Sequence, residues 1–588
     1  MWPSTSPALC TRTLLVSCMG VAVLTALGCG DDTRQGSADT TLNNSDTAGR
    51  LPPLARCTTD RSVERVQLSP RVGSFAVGPC GRTAFTEIAA DSTPTLRLSD
   101  PRRNTLELVA VGGRLPMFAR TGDQLAYVAV DDEGQRVTAV RDLNTGAVAT
   151  ERGSGRMGFA LDRSNPEAPH STAWLCEDER LRVLGDDRTW TELDPGATCV
   201  DLHAAPGGVG LVRSDGNGGM RWTDLRGGSS MAVAGLQYIE GFIDSETEHR
   251  DGFLLSEDGT VLLHQVIRYT YCGDTVCEEP SSLTSVYDLK SNRFIADVVG
   301  AYLGDEPPLS GPQTTRDGHA MLFASHPNSS ALRHGRALSV IEGARGEHLF
   351  ADARQVFVSV PIPIEGQPFN DVLFGRVDLD TGEREDWLRA PGRLEAFGVS
   401  AHEQALAWCH FTRERITYPD RPNVSHTQVW AISTWSETDG VREAIATSSQ
   451  PMEVFWVGDD GRVLVGGGLF TEPLPESAPQ TPERSYGLHM IEPDGTIAAT
   501  WENLGSVRDL VQVAPNRLLI ERWENRQHLL EVLDLTTQQR TLVANGQRVE
   551  WALDDAVTLL VYSVLPPDDG TGEEPAAELW AVSLDRVE

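Results

Sequence analysis

Leu115–Val148 reads LPMFARTGDQLAYVAVDDEGQRVTAVRDLNTGAV. Ala126-Tyr127-Val128-Ala129-Val130 is a strand-sized apolar run, and VRDLNTGAV (Val140–Val148) carries a strand into a polar turn. Gly122-Asp123 stands ahead of the first run, and such dipeptides tolerate the positive φ that tight hairpin turns need. The unit therefore predicts short antiparallel strands joined by tight turns. The same strand, Asp-Leu and polar turn recur as VYDLKSNRF (Val286–Phe294), VDLDTGERE (Val377–Glu385) and VLDLTTQQR (Val532–Arg540). Weaker copies lie near Asp100, Asp224, Ile432 and Leu584. Asp-Gly or Asn-Gly also breaks the chain at Asp258, Asp317, Asp460, Asp494 and Asn545, and long stretches of 3.6-residue periodicity are missing.

A period near 40–50 residues built of four short strands is the mark of propeller blades. A blade cannot cover both of its own apolar faces, so it stacks on its neighbours. The stretch from Leu115 also resembles the WD40-like repeats of TolB-type propellers. Pro116, Phe118, Gly122, Leu125, Ala126, Tyr127, Asp142, Leu143, Thr145 and Gly146 stand in the matching places, while Ala119 replaces a serine and Gly122-Asp123 inverts Asp-Gly. The expected fold class is an all-β β-propeller over residues 53–588, one irregular ring of seven or eight four-stranded blades with long insertions. The alternative is two smaller rings, because about eleven candidate hairpins can be marked between Asp100 and the C-terminus. The polar inserts Tyr269–Ser282, Thr412–Ser425 and Thr471–Ser485 are read as decorations.

Residues 14–28 read LLVSCMGVAVLTALG and are followed by Cys29. A membrane-spanning helix needs about 20 apolar residues, so this run fits a secretory signal instead. Ala26-Leu27-Gly28-Cys29 resembles the lipobox of bacterial lipoproteins, with Ala26 where leucine is usual. That resemblance implies cleavage after residue 28, a lipid on Cys29 and anchorage to a bacterial membrane, either on the periplasmic side of the outer membrane or at the cell surface. Residues 30–50 contain one leucine and no aromatic side chain. They cannot bury enough apolar surface to offset ordering entropy, so residues 29–52 are expected to form a disordered tether.

The 588 residues carry 84 acidic and 50 basic side chains, a formal charge of −34. This excludes nucleic acid and anionic lipid headgroups as main partners, since each phosphate contact requires a local cation. The one lysine, Lys290, stands in no phosphate-binding loop. Seven cysteines follow Cys29. In an oxidising envelope disulfides are expected, and chain proximity suggests Cys57–Cys80, Cys176–Cys199 and Cys272–Cys277, although six cysteines allow fifteen pairings. Cys409 and His410 are adjacent in the strand-like LAWCHF, where side chains alternate, so they are not expected to form a nucleophile–base pair.

No G-x-S-x-G or H-E-x-x-H stands in the chain, and no G-x-G-x-x-G stands between a strand and a helix. His319, His326 and His334 lack ligand spacing and read as loop residues. The acidic turns at Asp131, Asp459 and Asp568 could offer oxygen ligands to calcium, but turn geometry already accounts for them. Nine of the thirteen tryptophans lie between Trp387 and Trp580. They read mainly as packing between blades, with stacking on sugars as the functional alternative. No catalytic residue, metal ligand or cofactor is assigned. The functional expectation is a non-catalytic module that binds an envelope protein or extracellular ligand; the alternative is a metal-dependent hydrolase or lyase with its site at the axial mouth.

Overall fold

In three of the recurring units the Asp-Leu pair closes the same turn. Asp142 Oδ1 accepts the amides of Asn144 (2.9 Å) and Thr145 (2.8 Å), and Gly146 N donates to Asp142 O (2.8 Å). Asp378 does the same for Asp380 and Thr381, and Asp534 for Thr536 and Thr537. The last turn residue is left-handed: Gly146 at φ 76°, Gly382 at 73° and Gln538 at 60°. Aspartate supplies the turn's acceptor and glycine its φ, which is why these two residue types recur.

The computed structural model describes residues 62–587 except 163–169, 194–198, 200–202, 205–209, 215–218, 226–229, 238–246, 256–260, 273–274, 277–280, 290–292, 302–312, 315–319, 326–327, 334–337, 342–343, 351–353, 364–370, 391–393, 417–426, 449, 471–483, 503–505, 555 and 567–575. The described chain is a β-propeller, with only two single-turn 3-10 helices, Pro79–Gly81 and Leu584–Arg586. Its strands form ten antiparallel sheets, one of them eight-stranded. That large sheet is two four-stranded meanders joined at a single rung, Ser448 opposite Leu469. Eleven four-stranded blades result among the described residues. In chain order they are residues 72–111, 114–152, 156–192, 203–237, 247–301, 313–341, 345–390, 394–448, 453–502, 506–546 and 548–583, numbered here 1 to 11.

The count corrects the expectation of seven or eight. The hairpins marked in the sequence are blades in their own right, because each supplies two inner strands buried on both faces. Asp100, Asp142, Asp224, Asp288, Asp378 and Asp534 each end the third strand of a blade. The wide gaps in that series are blades whose third strand ends without the aspartate, such as Arg180–Leu184 in blade 3. The insert at Tyr269 lengthens the second strand of blade 5 to Val261–Cys272, against which Thr275–Val276 pairs.

Blade packing follows from the two-residue period. In blade 2, Leu125 and Tyr127 pack against blade 1, and Ala126 and Val140 against Ala173 of blade 3. In blade 8, Leu406 and Trp408 meet Phe357 and Phe374 of blade 7, while Ala405, Ala407 and Cys409 meet Val463 and Val465 of blade 9. In blade 10, Leu518 and Ile520 face Trp456 of blade 9, and Leu519 and Leu530 face Leu560 and Tyr562 of blade 11. Similar seams join blades 3, 4 and 5 and blades 6 and 7, and strand Arg293–Ala301 of blade 5 approaches Ala320–Ser325 of blade 6.

The series closes at its ends. Val66–Ser69 adds to blade 11 as an outer strand, antiparallel to Glu578–Ser583. Phe85 of blade 1 shares a core with Leu559, Val561, Leu579 and Ala581 of blade 11. These contacts order the blades in one circuit rather than two.

Candidate functional site

Cys29, the proposed lipid carrier, lies outside the described residues, as do Cys57, Cys277, His319, His326 and His334. Among the described residues no helix is long and apolar enough to cross a membrane. Cys80 is disulfide-bonded. Cys176 and Cys199 are joined in a disulfide, Cα to Cα 6.0 Å, beside the core between blades 3 and 4. Cys272 ends the strand Val261–Cys272. Asp131 Oδ1 accepts the amides of Glu133 (3.0 Å) and Gln135 (2.8 Å), so it serves its own turn.

Cys409 and His410 sit on the buried strand Ala405–Ile416 and face opposite seams. Cys409 packs toward blade 9, and burial pushes its thiol up to about 12. His410 turns toward Phe374 of blade 7, ring centroids 5.8 Å apart, with Nε2 2.9 Å from Ser433 Oγ. Burial brings its imidazole down to about 4. A thiol and an imidazole held neutral on opposite faces do not form a nucleophile and its base.

A compact set of ionisable groups lies in blade 10, on the face toward blade 11. Antiparallel register places Asp509 opposite Glu521, and Trp523 opposite His528. Glu521 and Trp523 are two residues apart on one strand, so all four share a face. Glu521 is buried, and three groups converge on it. Trp551 of blade 11 donates its indole N–H to Oε2 (2.7 Å); His528 Nε2 lies 2.8 Å and Arg508 Nη1 3.3 Å from Oε1. His528 Nδ1 accepts the amide of Val549 (3.1 Å), which fixes the proton on Nε2. Burial lowers the pKa of His528 against the raising effect of Glu521.

Burial also pushes the Asp509 carboxyl up to about 6; the Leu510 amide opposes this, and the nearby charge of Glu521 adds to it. Trp523, 38% exposed, stacks on the His528 ring at 4.2 Å between centroids. No other described tryptophan is exposed. The seam therefore offers a fixed indole face, a carboxyl that exchanges its proton near pH 6 and a guanidinium, Arg508, with 56% of its side chain exposed. Reading by motif passed over this cluster because its members come from four strands. The one local signal is the pair of charged runs inside apolar strands, LLIERWENRQHLLEV.

No family model matches the chain, and no curated protein matches it. Among solved structures it is similar to a eukaryotic initiation factor at 10% identity and a TM-score of 0.33, over 67% of this chain and 89% of that one. It is similar to the Dos1 propeller at 10% identity and a TM-score of 0.29, over 89% of this chain and 95% of that one. It is similar to Porphyromonas gingivalis dipeptidyl peptidase 4 at 9% identity and a TM-score of 0.31, over 85% of this chain and 65% of the peptidase. None of these likenesses assigns an activity.

Proposed function

We propose that the chain is a lipid-anchored bacterial envelope propeller that acts as a non-catalytic binding module. Cys29 carries the lipid, residues 29–52 form the tether and residues 53–588 present the ligand-binding surface. The observation that supports this reading is the use made of the polar side chains. Several of them join one blade to the next: Arg188 to Asp142 (2.6 Å), Arg182 to Glu151 (2.9 Å), His402 to Asp459 (2.6 Å) and Trp456 to Gln512 (3.1 Å). Side chains held in such pairs keep a large ring rigid, which is what a recognition surface requires.

Two measurements test the proposal. Cys29→Ala is expected to move the protein from the membrane fraction to the soluble one; unchanged sedimentation would remove the lipid tether. Metal analysis of the purified wild-type protein is expected to give substoichiometric Zn, Mn and Ca. A tightly held stoichiometric metal would replace the binding module with the metal-dependent enzyme.

A further inference from the structure

We propose that the mouth of the seam between blades 10 and 11 is a binding site for a neutral saccharide, with Trp523 as its stacking platform. The inference rests on the binding-module reading and names the ligand class of one site on it. A sugar ring presents a flat patch of C–H groups and a rim of hydroxyls. It is recognised by an aromatic face with hydrogen-bonding groups of both kinds beside it. Trp523 supplies the face. One side of its indole is held by the His528 ring, so the exposed remainder needs no ordering when a ligand arrives. Asp509 and Glu521 lie on the same sheet face as Trp523, and Arg508 reaches Glu521 from the neighbouring strand.

The mixture of signs selects among ligands. A protonated amine or guanidinium would favour the indole and the carboxylates but would meet the Arg508 guanidinium. An anionic sugar would meet Asp509, Glu521 and the net charge of −34. Uncharged hydroxyls can donate to Asp509 and accept from Arg508, while the buried Glu521, already engaged by Trp551, His528 and Arg508, holds the site's frame.

The test is calorimetric titration of the full-length protein, with its lipid intact in detergent, using maltohexaose, cellohexaose and N-acetylchitohexaose. At least one should bind. Trp523→Ala should weaken that binding by about tenfold, the usual scale for losing one stacked ring. Trp523→Phe, which keeps a flat ring over His528, should stay within about threefold of wild type. Its thermal melt serves as the folding control. The proposal is overturned if none of the three binds, if Trp523→Ala binds as well as wild type, or if tetramethylammonium binds at this tryptophan in their place. Failure here leaves the binding-module reading intact provided the metal analysis stands; a stoichiometric metal overturns that reading whether or not a sugar binds.

Discussion

His410 shows how a single side chain ties stability to pH. Its ordinary value is 6.5, and in the folded protein it is about 4. Between those values the unfolded chain holds the proton and the folded one does not, so stability falls as pH drops from about 6.5 to about 4. At 1.36 kcal/mol per unit the loss is about 3 kcal/mol when complete. Urea unfolding at neutral pH and near pH 4 should show it, and His410→Gln should remove that part of the slope. An unchanged slope in the variant would mean that the proton is taken up elsewhere. Asp509 acts in the opposite sense: its carboxyl, raised from 3.8 to about 6, favours the folded state as pH falls from about 6 toward 3.8. Both shifts arise from burial, and LAWCHF already marks His410 as a strand residue. Which seam it enters depends on blades 7 and 9.

The recurring element is the turn that ends the third strand. At Gly382 a Cβ would meet nothing within 4 Å, so any effect of a side chain there comes from the backbone alone. With φ at 73°, Gly382→Ala should cost about 1 kcal/mol, measured as a shift in the unfolding midpoint. No measurable loss would show that the turn relaxes out of the left-handed region. This element was legible from VDLDTGERE, because the aspartate acceptor and the glycine φ are both local requirements. The blade count was less legible. Blades 3, 6, 8, 9 and 11 end their third strands at Leu184, Arg333, Ser436, Ile491 and Ser583, without the aspartate. A repeat whose marker is missing from so many copies cannot be counted from that marker.

At the scale of the whole ring, the joint between blades 11 and 1 carries a buried ion pair. Asp554 accepts the amides of Thr558 (2.7 Å) and Leu559 (2.8 Å), the Thr558 hydroxyl (3.0 Å) and Arg102 Nη2 (2.6 Å). Arg102 comes from blade 1 and is 7% exposed. Asp554→Ala leaves that guanidinium buried without its counter-charge and should cost about 3–5 kcal/mol. Asp554→Ala with Arg102→Met should recover part of the loss, which a double-mutant cycle reads directly. If the double variant is no better than the single one, the damage lies in the turn rather than in the pair. The outer strand Val66–Ser69 acts at the same joint. Ser583 N donates to Val63 O (2.9 Å) and Val63 N to Ser583 Oγ (2.7 Å), so the two ends of the described chain hold each other.

Local chemistry in the sequence determined the strands, the turn residues, the all-β class and the alternation that buries both faces of the inner strands. Each of these depends on φ preferences or on side-chain period within a few residues. Tertiary structure alone decided that eleven blades follow one another in a circuit among the described residues, that strand Val66–Ser69 completes the last blade, and that Asp509, Glu521, Trp523, His528 and Trp551 share one seam. Those outcomes depend on contacts between segments far apart in the chain, where register and curvature set the neighbours and no short motif records them.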